Sequence, residues 1–153
     1  MAYSRQVIMG VLMAAALCAC KSNKATTYTS DCAAGVAFKQ VNFTHLIDSI
    51  KYYDKQFVEV TGRYLEDKHV SALVNDRTFT DHGNSHALWI NFTQDCPLYQ
   101  SNTHRGLFET EDGEYRKINN KLMTLHGRID VHKKGNGQSY SATLDEVSYV
   151  QLH

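Results

Sequence analysis

The amino-acid sequence predicts a mainly β protein, a small barrel of five strands preceded by a short N-terminal helix. Three features carry that prediction. Apolar spacing changes from helical to alternating near residue 54. The pattern apolar-x-apolar-x-Gly-Arg-apolar occurs twice, within residues 57–64 and 122–129. Turn-forming clusters, not helical periods, separate the later apolar stretches.

Residues 7–16 form an uncharged apolar run behind the single basic residue Arg5, half the length of about 20 residues that a spanning helix needs. A basic start, an apolar middle and small residues beyond it are the marks of an export signal, which lies outside the fold. Leu17-Cys18-Ala19-Cys20 closes this run. It resembles the bacterial lipoprotein processing site, in which a Leu and two small residues precede a Cys that becomes the lipid-carrying N-terminus. Cys18 departs from the usual small residue. The resemblance implies residues 1–19 as signal peptide, Cys20 as the lipidated residue and a periplasm-facing domain held at a membrane, the outer more than the inner because no Asp follows Cys20. More than one acyl chain, at about 0.8 kcal/mol per buried methylene, makes such an anchor durable. The alternative is an ordinary cleaved signal peptide with two incidental cysteines; two Asn-x-Thr triplets, at Asn42 and Asn91, would suit a eukaryotic secreted protein, but such triplets arise often by chance and weigh little.

Residues 20–37 are expected to form the lipidated Cys and a flexible tether, with Lys21 to Thr27 lacking any periodicity. With Cys18 removed and Cys20 acylated, Cys32 and Cys96 remain as one available pair in an oxidising compartment. A bond between them would contribute about 4 kcal/mol in the chain-entropy model. The alternatives are two inert thiols or a redox couple, and no Cys-x-x-Cys favours the latter.

The remaining elements follow in order within a single domain over 38–153. Phe43, Leu46, Ile47, Ile50 and Tyr53 sit at helical spacing, with Asn42 or Thr44 available as cap. Val58, Val60 and Tyr64 alternate with Glu59, Thr61 and Arg63, as in a half-buried strand. Residues 70–74 and 87–92 read as further strands around the turn-rich 76–85. A polar stretch over 93–120 follows. Met123, Leu125, Ile129 and Val131 resume the alternation, Gly135-Asn136-Gly137 turns the chain, and residues 140–152 supply a last strand or two. Glycines at matching places inside two strands suggest strong bends or close backbone approach, as barrel closure requires.

Three strands, a long connection and two more strands resemble the oligonucleotide/oligosaccharide-binding (OB) barrel. More narrowly, YDKQFVEVTGRYLED, HALWINF, NNKLMTLHGRIDV and GQSYSATLDEVSYVQL are similar to a group of small bacterial envelope proteins with that fold, over about residues 41–152. The resemblance implies the fold and no catalytic residue. It departs from the pattern in lacking a helix over 93–120.

Several constellations were weighed for chemistry. His82 and His86 have the spacing of a helical zinc pair, but the intervening Gly83-Asn84-Ser85 marks a loop, and no Glu accompanies them as a base. The acidic run Glu109 to Glu114 lacks the glycine placement of a calcium loop and reads as a solvated turn. Arg63, Arg128 and Asp130 are expected as exposed, salt-bridged strand positions. No nucleophile elbow, phosphate loop or dinucleotide motif occurs, so no enzyme and no cofactor are expected. Removal of residues 1–19 leaves 134 of the 153 residues, with 15 basic and 16 acidic side chains. This lacks the basic footprint of nucleic-acid binders.

The expected function is therefore a non-enzymatic, membrane-anchored module for an envelope protein or glycan, with Tyr99, Phe108, Tyr115 and the exposed His and Arg side chains as the candidate contact surface. The alternatives are an OB-type binder of single-stranded nucleic acid and, behind it, a His-loop metal protein. The first alternative needs aromatic platforms in a basic groove. Trp89, Phe92 and Tyr64 are better explained as core.

Overall fold

The structure is a computed structural model in which residues 25–76 and 83–153 are described. Eight strands form one sheet: β1 (Thr26–Thr29), β2 (Lys39–Val41), β3 (Phe57–Asp67), β4 (Val70–Val74), β5 (Leu88–Ile90), β6 (Tyr99–Gln100), β7 (Lys121–Asp130) and β8 (Ala142–Leu152). Five of them close a barrel. β3 pairs with β4, β4 with β5, β5 in parallel with β8, β8 with β7, and β7 with β3. This is the mainly β barrel that the residue patterning predicts, on the five stretches that predict it, with the OB-like character that the resemblance implies.

The two Gly-Arg stretches prove to be hydrogen-bonded partners. Val60 lies opposite Leu125, Gly62 opposite Met123 and Val58 opposite Gly127, so a local twofold through the Val60–Leu125 pair relates β3 to β7. Each glycine marks the place where the next strand folds over. A β-carbon at Gly62 would lie 2.6 Å from the Val74 carbonyl oxygen and 2.8 Å from Leu73 Cγ. At Gly127 it would lie 2.8 Å from both the Asp145 carbonyl oxygen and Leu144 Cγ. Such separations are well inside ordinary contact, so both positions require glycine. Opposite Gly127, β8 bends through Glu146 at φ 51°, where the β7–β8 register shifts. The bend carries β8 from its pairing with β5 to its pairing with β1.

Inward-facing side chains of these strands, among them Val58, Val60, Leu73, Leu88, Met123, Leu125, Leu144 and Val150, make one core. The predicted helix begins where expected. Helix α1 (Phe43–Asp48) is capped by the Asn42 carboxamide, which accepts from the Thr44 and His45 amides, and it sends Phe43 and Leu46 into the core. It stops at Ser49, and a tighter 3-10 turn, Ile50–Tyr53, replaces its expected second half while still burying Tyr53.

Three expectations are corrected. The tether does not run free to residue 37: Thr26–Thr29 is a barrel-side strand, antiparallel to β8, because Tyr28 is fully buried. Four consecutive residues of good strand propensity were the overlooked signal. Asp130 is not exposed. It is 5% accessible and accepts a hydrogen bond from Lys55 Nζ at 2.6 Å and others from the His132 and Lys133 amides. Trp89 and Phe92 are half-buried, not core, whereas Tyr64 is buried. Arg63 and Arg128 do form ion pairs, with Asp76 and with Glu146 (2.5 Å).

Candidate functional site

The connection between β5 and β7, residues 91–120, contains no α-helix and holds two of the three exposed aromatic side chains among the described residues, Tyr99 and Tyr115. Besides the short pairing of β6 with β1, it is fixed at three places. The disulfide Cys32–Cys96, with Cα atoms 5.3 Å apart, ties it to the turn after β1. Cys32 is exposed and Cys96 is buried. At its centre the Arg116 guanidinium lies 5.4 Å from the Tyr28 ring centroid and donates to the Tyr28 hydroxyl and, at 2.6 Å, to the Leu107 carbonyl. Near its end, Glu66 on β3 accepts from the Tyr115 hydroxyl and from the Ile118 amide at 3.0 Å, while the Glu66 amide donates to Asn119.

These restraints line up four rings from the core to the surface. Tyr64 meets Phe92 edge-on at 5.8 Å, Phe92 meets Phe108 edge-on at 5.3 Å, and Phe108 stacks on Tyr115 at 5.8 Å with 6° between planes. Burial raises the Tyr64 hydroxyl to about 12, so it stays protonated, bonded with Ser71 Oγ at 3.0 Å. Tyr115, at the other end, is 62% exposed. The acidic run makes its placement possible: Glu109 bridges Tyr115 across a tight turn closed by Thr110 and Glu114, with Gly113 at φ 76°. It is the solvated turn that its composition predicts.

Three grooves border this wall. One of about 550 Å³ lies beside the exposed sulfur and includes Asp31, Asp95 and Tyr99. The next, about 370 Å³, shares Pro97 and Tyr99 with it and includes Glu109. The third, about 280 Å³, shares Phe92 and Phe108 with the second and includes Glu66, Asp67 and Tyr115. The three therefore adjoin along shared walls, as a cleft of successive grooves. No lysine, arginine or histidine lines it among the described residues.

The outer face of β4 and β5, which OB barrels use for oligomeric ligands, is covered in part by the chain itself, while Val70, Ser71, Trp89 and Ile90 line the third groove. Ala72, Val74, Ala87 and Tyr140 form a second apolar cluster there, with Trp89 5.2 Å from Tyr140. Gly135, at φ 64°, is so close that a β-carbon would sit 2.6 Å from the Trp89 ring. The 131–141 loop is held by Asn136 to the His69 carbonyl at 3.3 Å, Asn84 to Ser139 at 2.9 Å and the Ser141 amide to the Ala87 carbonyl at 3.0 Å. Burial raises the Tyr140 hydroxyl pKa, as expected of a core position.

The other sequence candidates separate. Cys20 and His82 lie outside the described residues. His86 ends an exposed 3-10 turn, Asn84–His86, and among the described residues no three His, Cys, Asp or Glu side chains are grouped to hold a metal ion. His126 was not singled out by the sequence. It is packed between Tyr149 (4.3 Å) and Phe38 (4.6 Å) with Nε2 2.8 Å from Glu59, a filled arrangement that lines none of the three grooves. Of the predicted contact residues, Tyr99, Phe108 and Tyr115 all border the cleft. Its carboxylates were missed, because Asp31, Glu66 and Asp95 are far apart in sequence. No protein-family model matches the chain, and neither does any curated protein or solved structure, so the cleft is judged on its own geometry.

Proposed function

We propose that this protein is a non-enzymatic binding module of the bacterial cell envelope, anchored through Cys20, which takes an envelope partner into the cleft of the 91–120 connection. The observation that carries this is the row of rings ending in exposed Tyr115, together with exposed Tyr99 on the neighbouring grooves, beside carboxylates and no cation. Exposed aromatics on a rigid scaffold are costly to keep wet and are typical anchors of recognition surfaces. The single-stranded nucleic-acid reading has less support. Its usual face is filled in part by Tyr140 and the 131–141 loop, and the open cleft repels phosphate.

The test places a photo-crosslinking residue at Tyr99, at Tyr115 or at Tyr52, an 83% exposed tyrosine outside the cleft, in the full chain in its native envelope. One partner captured from both cleft positions and not from Tyr52 supports the reading. Equal capture from all three overturns it. For the anchor, Cys20→Ala should release the protein from membranes, and a variant that still pellets with them refutes lipidation.

A further inference from the structure

We infer that the occupant of the cleft is an extended, lysine- or arginine-rich polypeptide segment. This rests on the binding role proposed above and names the class of partner. The arrangement favours a linear ligand, because the three grooves follow one another with shared walls, Pro97 and Tyr99 and then Phe92 and Phe108. An extended backbone passing along them would meet the side-chain amides of Asn102, Gln100, Gln94 and Asn91.

Charge selects among linear ligands. Asp31 and Asp95 serve the first groove, Glu109 the second, Glu66 and Asp67 the third, without one basic side chain lining any of them. The chain as a whole is neutral, with 16 basic and 16 acidic residues, so the cleft concentrates negative charge that the composition does not. Nearby Arg105 is engaged by Glu111 at 3.2 Å, and Arg116 lies beneath the wall against Tyr28. Asp31, Asp67 and Asp95 are exposed and have no side-chain hydrogen bond or ion pair within the described residues. They await a counter-charge. A neutral glycan would cover these carboxylates without compensating them, and an anionic polymer would be repelled. A lysine or arginine compensates them and also lays its aliphatic stem and charged head on Tyr99 and Tyr115.

The experiment measures fluorescence anisotropy of the full chain in detergent against four labelled probes: a short lysine-rich peptide with interspersed tyrosines, its glutamate counterpart, a hexamer of N-acetylglucosamine and an oligothymidylate. The lysine peptide should bind, more weakly as salt rises. Asp31→Asn combined with Asp95→Asn should weaken it about threefold to tenfold, and Glu109→Gln about threefold, from typical exposed ion-pair strengths. Neutralising Asp112, at the tip of the adjacent turn and lining none of the grooves, should change nothing. Binding of the glutamate peptide as tight as that of the lysine peptide overturns the inference, as does equal sensitivity to the turn and cleft substitutions. Salt-independent binding of the glycan hexamer, abolished by Tyr115→Ala, with no binding of the lysine peptide, overturns the peptide while keeping the cleft as a binding site. Equal crosslinking inside and outside the cleft removes both.

Discussion

The β3–β7 pair and the 91–120 connection hold their shapes by opposite means. In the pair the same local solution appears twice. A glycine lets the neighbouring strand close in, and the arginine after it reaches a carboxylate, Asp76 in one case and Glu146 in the other. Backbone ladders on both sides repeat the constraint residue by residue. The connection has almost no ladder. It is held by one disulfide, one guanidinium against Tyr28 and one carboxylate, Glu66, and beside them the exposed rings gather. Redundant backbone pairing makes a scaffold. A few side-chain ties leave a surface free to present chemistry, which is where binding residues concentrate in general.

The sharpest way to break this contrast is at the glycines. Gly62→Val or Gly127→Val drives a side chain into a carbonyl oxygen and a core leucine, and is expected to cost about 3 kcal/mol in urea denaturation. A loss below about 1 kcal/mol would show that the neighbouring strands can retreat. In the connection, Cys32→Ser with Cys96→Ser removes a tie spanning 64 positions and should cost about 3–4 kcal/mol. Far-UV circular dichroism should keep its barrel signature while protease cuts concentrate within 93–120. Loss of the barrel spectrum as well would mean that the connection is part of the scaffold.

A smaller effect distinguishes the scaffold by pH. The hydrogen bond from Lys55, aided by the His132 and Lys133 amides, holds the Asp130 carboxyl down to about 2 from its ordinary 3.8. A lowered carboxyl pKa stabilises above the unfolded value and ceases to do so as pH falls through the folded one. The contribution is therefore complete above about pH 4 and lost towards pH 2, worth about 1–2 kcal/mol after discounting for the half-exposed Lys55. Asp130→Asn should flatten that part of the stability curve, and an unchanged acid limb would assign it to other carboxylates. Tyr115→Ala should have the smallest effect on stability, within about 0.5 kcal/mol, because the ring is largely exposed. It should nonetheless abolish capture by a crosslinker at Tyr99. Retained capture would move the contact away from the stacked Phe108–Tyr115 pair.

Local sequence set the elements of the barrel. Alternation of period two marked β3 and β7, apolar stretches between turn clusters marked β4, β5 and β8, the cap at Asn42 set the start of α1, and the repeated Gly-Arg step located both bends, because each is a property of a few neighbouring residues. Cys32 and Cys96 could be paired by elimination. Only the tertiary structure decided that Tyr28 completes the sheet and that Asp130 is buried beside Lys55. It also decided that the 131–141 loop covers part of the outer face of β4 and β5, and that rings from Tyr64, Phe92, Phe108 and Tyr115 converge. The physical reason is that periodicity reports which way a side chain points from its own backbone. What it meets there depends on how strands distant in sequence close the barrel.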